Sequence, residues 1–298
     1  MINACSVKDK LKNNAKKHNK TFQEELIAYG LERTIYRIAL SKYLNHFTLK
    51  GGVLLYALFD GDFTRVTRDI DFLASQISNS TENIKRIFID IFSMVCDDAL
   101  TYDLDTLEVK SITEFKKYHG VNVSITSYLD KTRIPISIDI GFGDIVYPGK
   151  ELINYPVLLE MENPVIYAYS IYSVISEKFE AIVSLGDANS RYKDFYDIFL
   201  LANRYDLEGY KLQDAIRETF IHRGTSINEI FAFSEGFVNS DIHQNRWNAF
   251  LKKKKTLVSV ELSDAIEVLK ILLLPIVDSI NDNGQLLTVW DHNLLCWK

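Results

Sequence analysis

Apolar positions recur at helical spacing from about Ser6 to Tyr43, where Leu31, Ile35, Ile38 and Leu40 form one stripe, and predict two helices. Phe47 to Lys50 reads as a short strand. Gly51 and Gly52 then turn the chain into a helix over Val53 to Phe59, and Asp60-Gly61-Asp62 makes a loop. An apolar run carrying Asp69 and Asp71 follows as a strand. Ser80 to Ala99 has Ile84, Ile87, Phe88, Ile91 and Val95 on one helical side. Three strands are expected next, at about Leu104 to Ile112, Val121 to Thr126 and Ile134 to Phe142. In the second, Val121, Val123 and Ile125 alternate with Asn122, Ser124 and Thr126. Pro135 points to an edge position or a strand end for the third. Beyond a loop near Pro148 the pattern turns mainly helical, with runs at Ile171 to Leu185, Asp194 to Arg204, Lys211 to His222, Ile227 to Phe233, Gln244 to Leu251 and Leu262 to Ile280. The tail with Trp290 and Trp297 shows no period. The expectation is an α+β protein: a helical lead and mixed-sheet core over residues 1–150, then a mainly helical domain over 151–298 that completes the active-site cleft.

Two aspartates one residue apart in an apolar run are the strongest chemical signal. Side chains alternate along a strand, so Asp69, Asp71 and Leu73 share one face and Ile70, Phe72 and Ala74 the other. Adjacent carboxylates repel unless a cation lies between them, and an all-oxygen ligand set suits magnesium. The apolar flanks argue for a central strand, although solvated acids on a surface strand give the same pattern. Asp139 is a third acid within an apolar strand, on the side opposite Ile138 and Ile140. It fits either an exposed position or the third carboxylate that a two-metal site needs. Arg65 and Arg68 stand beside the pair with charge suited to phosphate.

Lys178 lies inside the apolar stripe Ile171, Val174, Ile175, Ile182 and Leu185. Lysine is rarely buried without a partner, so an ammonium aimed into a cleft, with a triphosphate as a suitable partner, is preferred over snorkelling. Asp194 and Asp197 sit one helical turn apart. The residues leave two readings open: acids that favour a helix amino terminus, or acids that orient Lys178 or Arg191. Gly51-Gly52 lets backbone amides approach a phosphate closely, and Lys50 adds charge. No GxxxxGK[ST] loop is present.

Composition narrows the field only a little. The net charge is −6, which gives no support for wholesale wrapping of nucleic acid. The lysine-rich start and Lys252 to Lys255 are basic faces without an assigned role. Cys5, Cys96 and Cys296 are too far apart for a zinc ribbon or a disulfide framework. The polar start is not a secretory signal and Val268 to Val277, broken by Lys270 and Pro275, is too short to cross a bilayer. A soluble cytoplasmic protein is expected.

Taken in order, four segments resemble the AbiEii/AbiGii family of nucleotidyltransferase-like toxins. They are Tyr29-Gly30-Leu31-Glu32-Arg33 with Phe47-Thr48-Leu49-Lys50-Gly51-Gly52; Thr67-Arg68-Asp69-Ile70-Asp71-Phe72; Glu177-Lys178-Phe179-Glu180-Ala181; and Arg191-Tyr192-Lys193-Asp194-Phe195-Tyr196-Asp197. The resemblance implies a polymerase-β-like nucleotidyltransferase core and a helical carboxyl-terminal domain. It implies the toxin of a type IV toxin–antitoxin or phage abortive-infection system, with a transcriptional repressor as antitoxin that need not bind the toxin. It also implies Mg2+, an NTP substrate (GTP or CTP) and an RNA acceptor, the tRNA 3′ end. Carried over, Asp69 and Asp71 match the metal-binding acids, Lys178 the essential lysine, and Asp194 or Asp197 the late acidic motif. Asp139 follows the wider superfamily pattern, and Lys50, Gly51, Gly52, Thr67 and Arg68 line the nucleotide. Thr67 stands where the family often has serine, and Gly51-Gly52 replaces the superfamily's Gly-Ser pair. Alternatives from other classes are a nucleotide-binding toxin that transfers nothing, and nucleotidylation of a protein. A DxD glycosyltransferase leaves Lys178 and the late acids without a role.

Overall fold

The computed structural model describes residues 2–62, 67–112, 120–252 and 258–298. The chain folds as two compact units. The first comprises Met1–Asp144 with Lys150–Ala168, and the second Ile145–Gly149 with Tyr169–Lys298. The units therefore exchange short segments around the boundary expected at residue 150.

The first unit contains α1 (Ala4–Lys17), α2 (Phe22–Leu40), β1 (Phe47–Lys50), α3 (Gly51–Leu58), β2 (Ile70–Ala74), α4 (Thr81–Phe92), β3 (Leu100–Ile112), β4 (Gly120–Leu129), β5 (Thr132–Phe142), β6 (Glu151–Asn154) and β7 (Val165–Ala168). Among the described residues these strands form a seven-stranded mixed sheet, in the order β3-β4-β5-β2-β1-β7-β6. β2 lies at its centre, antiparallel to β1 and parallel to β5. The apolar flanks of Asp71 are thus explained: Ile70 and Phe72 are fully buried. Phe47 packs its ring at a tilt against Phe72 and Phe88 in one core, each worth roughly 1.5–3 kcal/mol when fully buried.

Local chemistry fixes the helices on this sheet. A reciprocal capping box starts α2, with Thr21 Oγ1 accepting from Glu24 N and Glu24 Oε2 accepting from Thr21 N. Gly30 lets α2 lie directly on β5, because a Cβ there would come within 2.7 Å of Ile134 Cγ2. Pro135 lies where β5 is paired to β4 only, since pairing with β2 begins at Ile138.

Three expectations about this unit need correction. The helix expected to run to Ala99 stops at Phe92, and β3 begins earlier than expected, at Leu100. The chain after Pro148 is not yet helical: β6 and β7 add a hairpin to the sheet, with β7 parallel to β1. Four residues per strand are too few to show a period.

The second unit holds α5 (Ile171–Leu185), α6 (Tyr192–Ala202), β8 (Leu207–Glu208), α7 (Gly209–Arg223), α8 (Glu235–Val238), α9 (Asp241–Lys252), α10 (Leu262–Asn281), β9 (Val289–Asp291) and β10 (Cys296–Trp297). The expected helix over Ile227 to Phe233 is only a 3-10 turn at Phe231–Phe233. The tail forms a small sheet, β10-β9-β8. It is anchored by buried Trp290, whose Nε1 donates to Ala202 O at 2.8 Å. No helix among the described residues is long and apolar enough to cross a membrane.

Candidate active site

In the first unit the candidate residues line up across the centre of the sheet. Asp71 on β2 is in register with Lys50 on β1 and with Asp139 on β5, and Asp139 in turn with Asn122 on β4. Residues in register on neighbouring strands share a face, about 4.8 Å apart. Asp71 and Asp139 are therefore side by side on a partly open face. Asn122 was not anticipated. Its Nδ2 donates to Asp139 Oδ1 at 2.7 Å and to Ser137 Oγ at 2.9 Å, and so fixes one oxygen of that carboxylate. A signal for it exists in the sequence: a two-residue turn at Asp130-Lys131 between alternating strands sets Asn122 opposite Asp139.

Asp69 behaves differently from the expected strand partner of Asp71. β2 begins at Ile70, so Asp69 lies in the bend before it. Its Oδ1 accepts from Thr67 Oγ1 at 3.0 Å and from Arg68 N at 3.4 Å. Thr67, expected on a phosphate, here holds this carboxylate. The side chain of Arg68 is exposed, and Arg65 lies outside the described residues.

The glycine turn is tied to the acids sterically. Gly51 has φ +70°, a left-handed conformation, and a Cβ built on it would lie 2.5 Å from Asp71 Cγ and 2.7 Å from Asp71 Cβ. Only glycine fits for both reasons. α3 starts at this residue, and no side chain caps its amino terminus. Lys50 Nζ is held by Asp144 Oδ2 at 3.2 Å.

Among the described residues no group of three His, Cys, Asp or Glu side chains converges as a ready metal cage. Magnesium is more often held by one or two carboxylates together with substrate phosphates. The oxygen-only pair Asp71 and Asp139, on one face of adjacent strands, fits that mode.

The second unit gathers the late motif around Lys178. Its Nζ donates to Asp194 Oδ1 at 3.0 Å and to Asp197 Oδ2 at 2.7 Å, and Arg191 Nε donates to Asp194 Oδ2 at 2.7 Å. Both aspartates are buried and Lys178 is mostly so. The two readings left open by the sequence thus coexist. Asp194 lies in the first turn of α6 and also holds both cations. Burial pushes the Asp194 carboxyl up, but Lys178 and Arg191 outweigh it and hold the pKa below the usual 3.8. Asn189 shapes the α5–α6 turn: it is fully buried, and its Oδ1 accepts from Arg191 N at 2.7 Å. The neighbouring glutamates of the motif hold α7. Arg223 bonds Glu177 Oε1 at 2.9 Å and Glu180 Oε2 at 2.8 Å.

The sequence matches one known family. The profile of the nucleotidyl transferase AbiEii toxin, type IV toxin–antitoxin system, matches residues 33–267. The chain belongs to the AbiEii family. Membership makes it a nucleotidyltransferase toxin with an NTP substrate and a cognate antitoxin. No functionally curated protein matches the chain. Among solved structures, JHP933 from Helicobacter pylori is similar at 13% identity with a TM-score of 0.50, covering 87% of this chain and 94% of that one. A candidate nucleotidyltransferase from the same organism is similar at 14% identity and TM-score 0.49, covering 86% and 96%. The likeness to JHP933 supports the α+β fold of this AbiEii protein.

Proposed function

We propose that this AbiEii toxin moves a nucleoside monophosphate from an NTP to an RNA acceptor, the tRNA 3′ end, in a magnesium-dependent reaction in the cytoplasm. The observation that carries the proposal is the register of Asp71 with Asp139 at the sheet centre, against the Gly51 turn. Two carboxylates in register on adjacent strands present a pair of oxygen ligands to a cation.

The division of labour follows from chemistry. Asp71 and Asp139 would hold magnesium, while Asp69, just before the strand, has its Oδ1 engaged by Thr67 and Arg68. When bound, the metal neutralises triphosphate charge and favours ionisation of the attacking hydroxyl. The acceptor hydroxyl oxygen bonds to the α-phosphorus, the bond to the β-phosphate breaks, and pyrophosphate leaves with that electron pair. Positioning and charge neutralisation therefore carry the catalysis. Gly51, Gly52 and the uncapped start of α3 offer backbone N–H groups to phosphate oxygens. Asn122 is a positioning residue, keeping Asp139 fixed through its Nδ2. The role of Lys178 as the cation for the phosphates rests on the family motif and on the two buried aspartates that hold its ammonium.

The test is incubation of the purified protein with α-labelled NTPs, magnesium and total RNA. Label at RNA 3′ ends that disappears with Asp71→Asn and with Asp139→Asn is the expected result. Label migrating with polypeptide, or saturable NTP binding without any transfer, would refute it.

A further inference from the structure

The open face beside Asp139 continues into a groove of about 620 Å3, lined within the first unit by Arg68, Arg133, Ser124, Thr126, Ser137 and Glu108. Ile27, Ile125, Pro135 and Ile136 give it an apolar wall. The groove reaches Ser137, next to the proposed reacting centre, where Asn122 Nδ2 bridges this residue to Asp139. Its far end is Arg133, an exposed side chain whose Nη2 donates to Thr126 Oγ1 at 3.3 Å. Arg133 and Asp139 are six residues apart along β5, roughly 20 Å. A molecule engaging both ends is longer than one nucleotide.

The lining chemistry distinguishes the occupant. Two guanidinium groups with a floor of hydroxyls suit phosphate and ribose oxygens. The one carboxylate among the described lining residues, Glu108, is charge-balanced by Lys110, at 2.5 Å. The protein's net charge of −6 makes a local basic pair more telling, since nothing general attracts a polyanion.

We infer that this groove seats the single-stranded end of the RNA acceptor, with Arg133 clamping a phosphate upstream and the terminal hydroxyl lying toward Asp139. The inference rests on the transfer reading above and adds the path of the acceptor. Both candidate residues lie on the surface, so the substitutions spare the core.

The experiment measures fluorescence anisotropy of a short labelled single-stranded RNA across a salt series, beside the RNA-labelling assay. Arg133→Ala is expected to weaken binding by up to roughly fivefold, and to reduce the slope of log affinity against log salt by about 0.7. Arg133→Lys recovers the slope. Glu108→Lys tightens binding and steepens the slope, a gain that misfolding cannot produce. Unchanged affinity and slope in Arg133→Ala and in Glu108→Lys, while wild-type protein still labels RNA, would overturn the groove and leave the transferase reading standing. Absence of RNA labelling by the wild type overturns both.

Discussion

Gly51→Ala is the sharpest perturbation of the proposed centre. The residue has φ +70°, and an L side chain in the left-handed region costs about 1–2 kcal/mol. The new methyl would also meet Asp71, with Cγ at 2.5 Å and Cβ at 2.7 Å. Rotation about χ1 of Asp71 can remove the carboxylate from the clash but cannot move its Cβ. The backbone of the β1–α3 turn or of β2 must therefore shift, and overpacking of this kind costs about 1–3 kcal/mol. Together the terms predict a loss of roughly 2–5 kcal/mol of stability. A displacement of about 1 Å at Asp71 would further reduce transfer by about 10²-fold. Urea unfolding gives the first quantity and label transfer to RNA the second. Asp71→Gly removes the Cβ, so in the double variant the steric part disappears and the left-handed part stays. The expected non-additivity is thus about 1–3 kcal/mol. Gly51→Ala with unchanged midpoint and full transfer would refute the reasoning.

Asp139→Asn should abolish transfer while raising stability by about 0.2–1 kcal/mol, since it relieves repulsion with Asp71 yet can still accept from Asn122; thermal melting and the transfer assay check the two halves. Asp197→Ala leaves Lys178 with one of its two buried carboxylates and should cost about 3–5 kcal/mol in urea unfolding. Because the Asp194 pKa is lowered on folding, its contribution is complete above pH 3.8 and is lost as pH falls through the lower folded value; acid unfolding of Asp194→Asn should show a shallower pH dependence there. Glu32 is the opposite case. Burial pushes its carboxyl from 4.5 up to about 7 against the pull of Arg33, so stability falls as pH rises from 4.5 to 7, and Glu32→Gln should be the more stable protein at pH 8 but not at pH 4.

The sequence made the central strands legible because burial of one face writes itself as apolar residues alternating with polar ones. Ile70 and Phe72 mark β2, and the alternation around Asn122 and Asp139 marks β4 and β5 as strands, though not their pairing. Lys178 was legible for a related reason: a charge within an apolar stripe requires partners, and Asp194 and Asp197 supply them. What escaped were features set by pairing between distant segments. β6, β7 and the tail strands are two to four residues long, below the length at which alternation is distinguishable from chance. The polar interior of α2 escaped also. Arg37 and Asp98 form a buried bidentate pair across 61 residues of chain, and local periodicity cannot reveal the partner. Asp69 shows the limit of a strand reading, because alternation says nothing about which residue begins the strand.

The ion-pair cluster in the second unit constrains what Lys178 can contribute. With Lys178 and Arg191 facing Asp194 and Asp197, the four charges sum to zero. A phosphate meeting that ammonium would therefore meet a cation already engaged by two carboxylates, not an isolated one. The arrangement favours position over raw charge: two hydrogen bonds from a mostly buried Nζ allow little freedom to the side chain. Arg191 is about half exposed, and it shares Asp194, which lessens the claim of that carboxylate on Lys178. Lys178→Arg keeps the charge but cannot reproduce a point donor set between two aspartates, so it should lose nearly as much transfer as Lys178→Met. Near-wild-type transfer by Lys178→Arg would show instead that only the charge counts, and the positional role of Asp194 and Asp197 would fall with it.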